Sequence, residues 1–228
     1  LLRVVGAGAA VGVAGCSSAD ETDADGDGLP TAGPSRQDIY VEVDYVGIDD
    51  GSKIAAALET VQQAYAEAPV SNPDGIDLHI VVDDQLDLDD TDVTLDDVSV
   101  DGSVAEQYRD YRESGYHYMV VNTENGGGGV ASYGRGVVNV DAVDQGMAST
   151  FMHELGHSLG LGYDKYHGID SREVSAEKYQ SVMNYNYRGG LQYNDGAPFD
   201  DWAFIANGYI PKRGGGECYD TSYWCPIA

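Results

Sequence analysis

Residues 145–164 read QGMASTFMHELGHSLGLGYD, and the rest of the chain is best read outward from them. Met147, Phe151 and Leu155 recur every four residues, which puts them on one buried face of a helix. On that helix His153 and His157 stand one turn apart. At about 100° per residue, side chains four positions apart diverge by only about 40°, so both imidazoles can reach one ion. Glu154 follows the first histidine and points to the side of that ion, within reach of a bound water but not as a ligand. Gly160 ends the helix in a conformation that a Cβ resists and turns the chain back toward the ion.

A second landmark lies downstream. Met183 falls 26 residues beyond His157, inside Ser181-Val182-Met183-Asn184-Tyr185. The helix, its closing glycine and this methionine together resemble the metzincin zinc peptidases. FMHELGHSLGL, SVMNYN and the later DDWAFI look like a secreted bacterial and archaeal branch of them. The resemblance implies an α+β, α/β-like zincin fold: a twisted, mostly parallel sheet with an antiparallel edge strand, an active-site helix, a Met-turn and a small C-terminal subdomain. It also implies a zinc-dependent endopeptidase acting on peptide or protein substrates. His153 and His157 would ligate zinc, and Glu154 would be the general base. Met183 would form a floor under the metal, and Tyr185 would hydrogen-bond the tetrahedral intermediate.

One position departs from that pattern. The family's third ligand falls three residues after the glycine, where this chain has Tyr163, with Asp164 next and His167 four further on. Imidazole is a good zinc ligand, a carboxylate an acceptable one and a tyrosine oxygen less usual. Ligand chemistry therefore favours His167, then Asp164, with Tyr163 last. The mismatch also keeps a second reading open, a catalytically idle surface protein that uses the fold for binding or adhesion. The intact Glu154 argues against it, since an idle domain has no chemical need for that carboxylate.

Upstream the pattern is periodic. Ile39, Val41, Val43 and Tyr45 alternate with polar residues as in a half-buried strand. Ile54, Leu58, Val61 and Tyr65 share a face over 52–67, a helix with Ser52 as N-cap and Pro69 beyond its end. Further strands are expected at 76–82, 116–122 and 135–141, and a short helix at 104–114. The acidic stretch 83–101 reads as an insertion loop or weak strands, and Gly126 to Gly129 as a flexible loop. Residues 130–141 are the candidate edge for pairing with an extended peptide. His79 and His117 read as ordinary sheet residues, and a helix near Asp200 to Ala206 as support beneath the site.

Composition speaks about the surroundings. Against 39 Asp and Glu stand 12 Lys and Arg, a formal charge of −27, which excludes nucleic acid and anionic membrane surfaces as partners. Acids dispersed along a chain with 42% hydrophobic residues point to a globular protein adapted to high salt, and a monomer is expected. Residues 1–16 run apolar into Val13-Ala14-Gly15-Cys16, like a signal peptide ending in a lipoprotein box. Leu1 is not Met, and part of that leader is expected to precede it. Lipidation of Cys16 would place the protein, exported, on the outer face of the cell membrane. Residues 17–36 form an acidic flexible linker, leaving 37–228 as the metallopeptidase domain. Asp23, Asp25 and Asp27 match half of a calcium loop, but its twelfth position is Pro34, so calcium is the weaker reading. Cys218 and Cys225 suit a disulfide in an exported chain.

Overall fold

The computed structural model describes residues 37–70, 75–88, 92–111, 116–123, 127–187 and 189–208. Cys16, the acidic segment with Asp23, Asp25 and Asp27, and the pair Cys218 and Cys225 lie outside the described residues. Among those described, no helix is long and apolar enough to cross a membrane.

Five strands form one sheet: β1 (Gln37–Val46), β2 (Ile76–Gln85), β3 (His117–Asn122), β4 (Gly128–Ser132) and β5 (Arg135–Asn139). Their spatial order is β2-β1-β3-β5-β4, parallel throughout except for β4, which runs antiparallel to β5. The mostly parallel sheet with an antiparallel edge strand is the α+β arrangement expected. Strand β4 begins inside the glycine run, so Gly128 and Gly129 are strand and not loop. The edge is correspondingly narrower than 130–141, because β5 is hydrogen-bonded on both sides and only β4 is free.

Two helices cover one face. The first, α1 (Gly51–Ala66), buries Ile54, Leu58, Val61 and Tyr65. Its cap is Asp50 and not Ser52: Asp50 Oδ1 accepts from the Ser52 N–H at 3.0 Å and from the Ser52 hydroxyl at 2.6 Å. The helix begins at Gly51, so Asp50, two residues before Ser52, stands at the N-cap position where a side-chain oxygen reaches the free N–H groups. A short α2 (Ser103–Tyr108) replaces the longer helix expected at 104–114. It joins the turns of 92–101 in covering the other face, where Val93, Val98 and Val104 pack on Val46, Tyr118 and Val120. The acidic stretch is thus an insertion that lids the sheet, with β2 running on to Gln85.

The second helix on the first face, α3 (Gln145–Ser158), carries the two histidines. Asp144 caps it, accepting from the N–H groups of Gly146 and Met147 at 2.7 and 3.1 Å. Met147, Phe151, Met152 and Leu155 are all at most 1% exposed. Burial of such side chains is worth roughly 1.5–3 kcal/mol each, which seats α3 firmly on the sheet. The last helix, α4 (Asp201–Gly208), sends Trp202 and Ile205 into the same core, where Trp202 meets Tyr65 and Tyr193 edge-on.

Candidate metal centre

The end of α3 shapes the site. Leu161 N–H donates to Gly156 C=O and Gly160 N–H to His157 C=O, both at 2.9 Å, the paired bonds of a Schellman turn. Gly160 takes φ +96°, a left-handed conformation that a Cβ disfavours. The turn swings the Leu161 carbonyl back under the helix, where it lies 2.7 Å from His157 Nδ1. The Val182 carbonyl lies 2.9 Å from His153 Nδ1 in the same way.

These two carbonyls fix the chemistry of the rings. A carbonyl only accepts, so each Nδ1 carries a proton, and in a neutral ring Nε2 then keeps its lone pair. The two Nε2 atoms face each other at 3.1 Å. Asp170 Oδ1 lies 3.2 Å from each. A single proton satisfies one edge of this triangle, whereas a divalent cation satisfies all three corners. Two imidazoles and a carboxylate are a donor set that suits zinc. The residues therefore fit the metal.

The side chain that joins the two histidines is Asp170, not the His167 that ligand chemistry favoured. His167 is exposed, its ring tilted against Tyr166 at 4.7 Å. Asp164 points outward and pairs with Lys165 Nζ at 2.7 Å, and Tyr163 is 59% exposed. None of the three joins the cluster of His153, His157 and Asp170. The reason is tertiary: Asp170 N–H donates to the Met183 carbonyl at 3.0 Å, which ties the loop to the methionine turn. Asp170 adopts φ 53°, a left-handed conformation that Asp tolerates better than most residues. A clue was present, because Ile169 is the sole aliphatic residue between Leu161 and Val174. It is fully buried and drags its neighbour inward.

The stretch 181–185 packs its methionine against α3. Met183 is fully buried, and a Cβ on Gly156 would meet its Sδ at 2.6 Å. Gly156 is thus the notch in α3 that admits the thioether. Below the turn, Asp201 accepts from the Tyr179 hydroxyl at 2.6 Å and the Asn194 N–H at 2.9 Å, and it also bonds Ser181. Burial pushes Asp201 up to about 6. The Tyr193 hydroxyl reaches the Met152 carbonyl at 2.5 Å, so Tyr193, packed edge-on against Trp202 of α4, holds α3 from beneath.

Glu154 is 4% exposed and backs onto the edge strand. A Cβ on Gly129 would meet Glu154 Cγ and Oε1 at 2.6 Å, so only glycine lets that carboxylate lie against β4. Burial pushes its pKa up, against the pull of His153 and His157. Burial pushes His157 down, but hydrogen bonding to Asp170 outweighs this and leaves it raised. Asp170 itself is pushed up by burial and pulled further down by its bonds to both imidazoles, ending below the usual carboxylate range. Tyr185 stacks on the His153 ring at 5.8 Å and hydrogen-bonds Asp170. Burial, then the Asp170 charge, raises its phenol. His153, Glu154 and Tyr185 line an open cleft of about 570 Å³, together with Gly127 to Gly129 and Arg172.

The other two histidines are sheet residues. His79 stacks on Tyr40 and lies 3.0 Å from Asp38. His117 is buried, with Nδ1 2.7 Å from the Ser158 hydroxyl, and burial pushes it down to about 4, helped by Arg109.

A helix that carries two histidines with converging Nε2 atoms and a buried glutamate, packed on a mixed sheet and against a buried methionine, is an arrangement like that of the metzincin zinc metallopeptidases. The chain is similar to that type. Residues 52–164 match the family model described as metallo-peptidase family M12B, reprolysin-like. Similar solved structures include a chain of a chaperone–substrate complex, at 16% identity and TM-score 0.47, over 75% of this chain and 33% of that one. Another is metalloproteinase-II from Bacteroides fragilis, at 14% identity and TM-score 0.41, over 72% of this chain and 51% of that one. The match thus spans between a third and about half of their lengths. Comparison with curated proteins by sequence finds no match.

Proposed function

We propose that the chain is a zinc-dependent endopeptidase in which His153, His157 and Asp170 hold the metal and Glu154 is the general base. The observation that carries this reading is the convergence of three lone-pair donors beside a buried glutamate in an open cleft. Zinc on three protein ligands lowers the pKa of a bound water to about 7 and polarises a carbonyl. The rest falls to the chain's own side chains. Glu154 takes the water's proton, and its raised pKa helps it hold that proton and return it to the leaving nitrogen. The Tyr185 hydroxyl, beside His153 and Asp170, donates to the developing oxyanion. The free edge of β4 supplies backbone partners for an extended peptide, so that the scissile carbonyl lies over Glu154.

The test is Glu154→Gln in the full chain. Zinc should stay at about one per chain while hydrolysis of an unfolded protein substrate falls by about 10²–10⁴-fold. Unchanged hydrolysis would refute Glu154 as the base. A wild type that holds zinc yet cleaves nothing would favour the binding-protein reading. The leader-like residues 1–16 with Cys16 support an exported, lipid-anchored enzyme, and the −27 charge supports a high-salt setting.

A further inference from the structure

Resting on that peptidase reading, we propose that Arg172 selects substrates that place a carboxylate beside the scissile bond. Arg172 lines the same cleft as His153, Glu154 and Tyr185, and is the sole Lys or Arg among its described lining residues. Its side chain is exposed, and among the described residues no carboxylate pairs with it. Of the acids flanking it, Asp170 is committed to the two histidines, and Glu173 makes no ion pair with it among the described residues.

The backbone that carries Arg172 is pinned. Asn186 Nδ2 donates to the carbonyls of both Arg172 and Val174, at 2.9 and 2.8 Å. The Glu173 N–H donates to the Ser171 hydroxyl at 3.0 Å. A fixed backbone presenting into the cleft a guanidinium that no described carboxylate pairs is a directed donor, and its planar fork matches a carboxylate with two parallel bonds. The guanidinium is also near enough to the reacting groups to pull down the Tyr185 phenol, partly offsetting its rise from burial.

This cation stands out against its background. A chain of −27 repels acidic peptides at long range. At about 1 M salt the Debye length shrinks to about 3 Å, so that repulsion is screened while a contact pair survives. The carboxylate can come from an Asp or Glu side chain or from the substrate's C-terminus; the guanidinium recognises both alike.

The experiment profiles cleavage of a peptide library by the zinc-loaded full chain in high salt, for wild type, Arg172→Gln and Arg172→Glu. Each peptide is supplied with a free and with an amidated C-terminus. Within the wild type, acidic residues at one position should be favoured about five- to ten-fold over their amides. That ratio should fall to about one in Arg172→Gln and invert toward Lys and Arg in Arg172→Glu. A preference that vanishes on C-terminal amidation assigns the carboxylate to the terminus. Parallel capture of the library on Glu154→Gln, with and without Arg172→Gln, reads the same selectivity without turnover. Cleavage with no acidic preference, or a preference that survives both Arg172 variants, would overturn the proposal and leave the peptidase reading intact. Selective capture without any cleavage by the wild type would do the reverse. Absence of both would overturn both.

Discussion

Replacing Asp170 should cost the chain its metal, and replacing His167 should not. Asp170 contributes one corner of a triangle whose other corners are the two Nε2 atoms, each 3.2 Å from Oδ1, while His167 stands exposed outside it. Four-ligand structural zinc sites bind with about 10–16 kcal/mol, so one ligand is worth about 2.5–4 kcal/mol. Asp170→Ala should therefore weaken zinc binding by about 10²–10³-fold, measured by competition with a chromophoric chelator. A hundred-fold weakening also removes about 2.7 kcal/mol of zinc-dependent stability at fixed excess metal, visible as a smaller rise in Tm on adding zinc. Alanine at φ 53° adds strain that has nothing to do with ligation. Asp170→Asn, whose side chain tolerates that conformation, separates the two, and it should lose zinc affinity with little change in the metal-free Tm. His167→Ala should bind zinc within a factor of about three of the wild type, because nothing in the site changes. If His167→Ala loses the metal while Asp170→Ala keeps it, the reasoning from the methionine turn is wrong.

Other outcomes follow from single contacts. Gly129→Ala places a Cβ where Glu154 Cγ and Oε1 lie, so peptide hydrolysis should fall at least about ten-fold with zinc content unchanged. Equal activity in that variant would show that Glu154 does not need to lie against β4. Buried Asp44 accepts from the Asp84 N–H and the Tyr118 hydroxyl, yet burial still pushes its carboxyl up to about 7. Its folded pKa lies above the unfolded value near 4, so the folded state binds the extra proton. Its contribution to stability is thus complete below about pH 4 and is lost as pH rises through 7. Asp44→Asn should flatten the fall in metal-free stability between pH 5 and 8 by on the order of 2 kcal/mol, read from urea unfolding. An unaltered slope would place the titrating group elsewhere.

Much of this architecture was legible in the sequence because it depends on local periodicity. The spacing of Ile54, Leu58, Val61 and Tyr65 and that of Met147, Phe151 and Leu155 needs nothing distant to be read as buried helix faces. The pairing of His153 with His157 follows from helical geometry alone. Three features were not legible, two of them because contacts between separate elements set them. Strand β4 is rich in glycine, a poor strand former, and owes its shape to β5 and to the Glu154 side chain lying against it. Asp50 displaced Ser52 as cap through a local choice between two polar residues two positions apart that composition cannot rank. Asp170 became the third corner through a bond to a carbonyl 13 residues later. Ligand chemistry ranked His167 above a carboxylate, but it could not see which side chain the fold delivers.

The methionine turn has a consequence for how such sites vary. Consecutive carbonyls, Val182 and Met183, serve two different corners of the triangle, one orienting His153 and the other anchoring Asp170. The third donor is therefore positioned from the turn and not by counting along from the helix. Residues 163–168 loop outward with four of the six side chains exposed, and their number does not enter the coordination geometry. Sequence spacing and spatial coordination are decoupled at this point of the fold. Chains with longer or shorter loops here can hold a metal with the same three-dimensional arrangement.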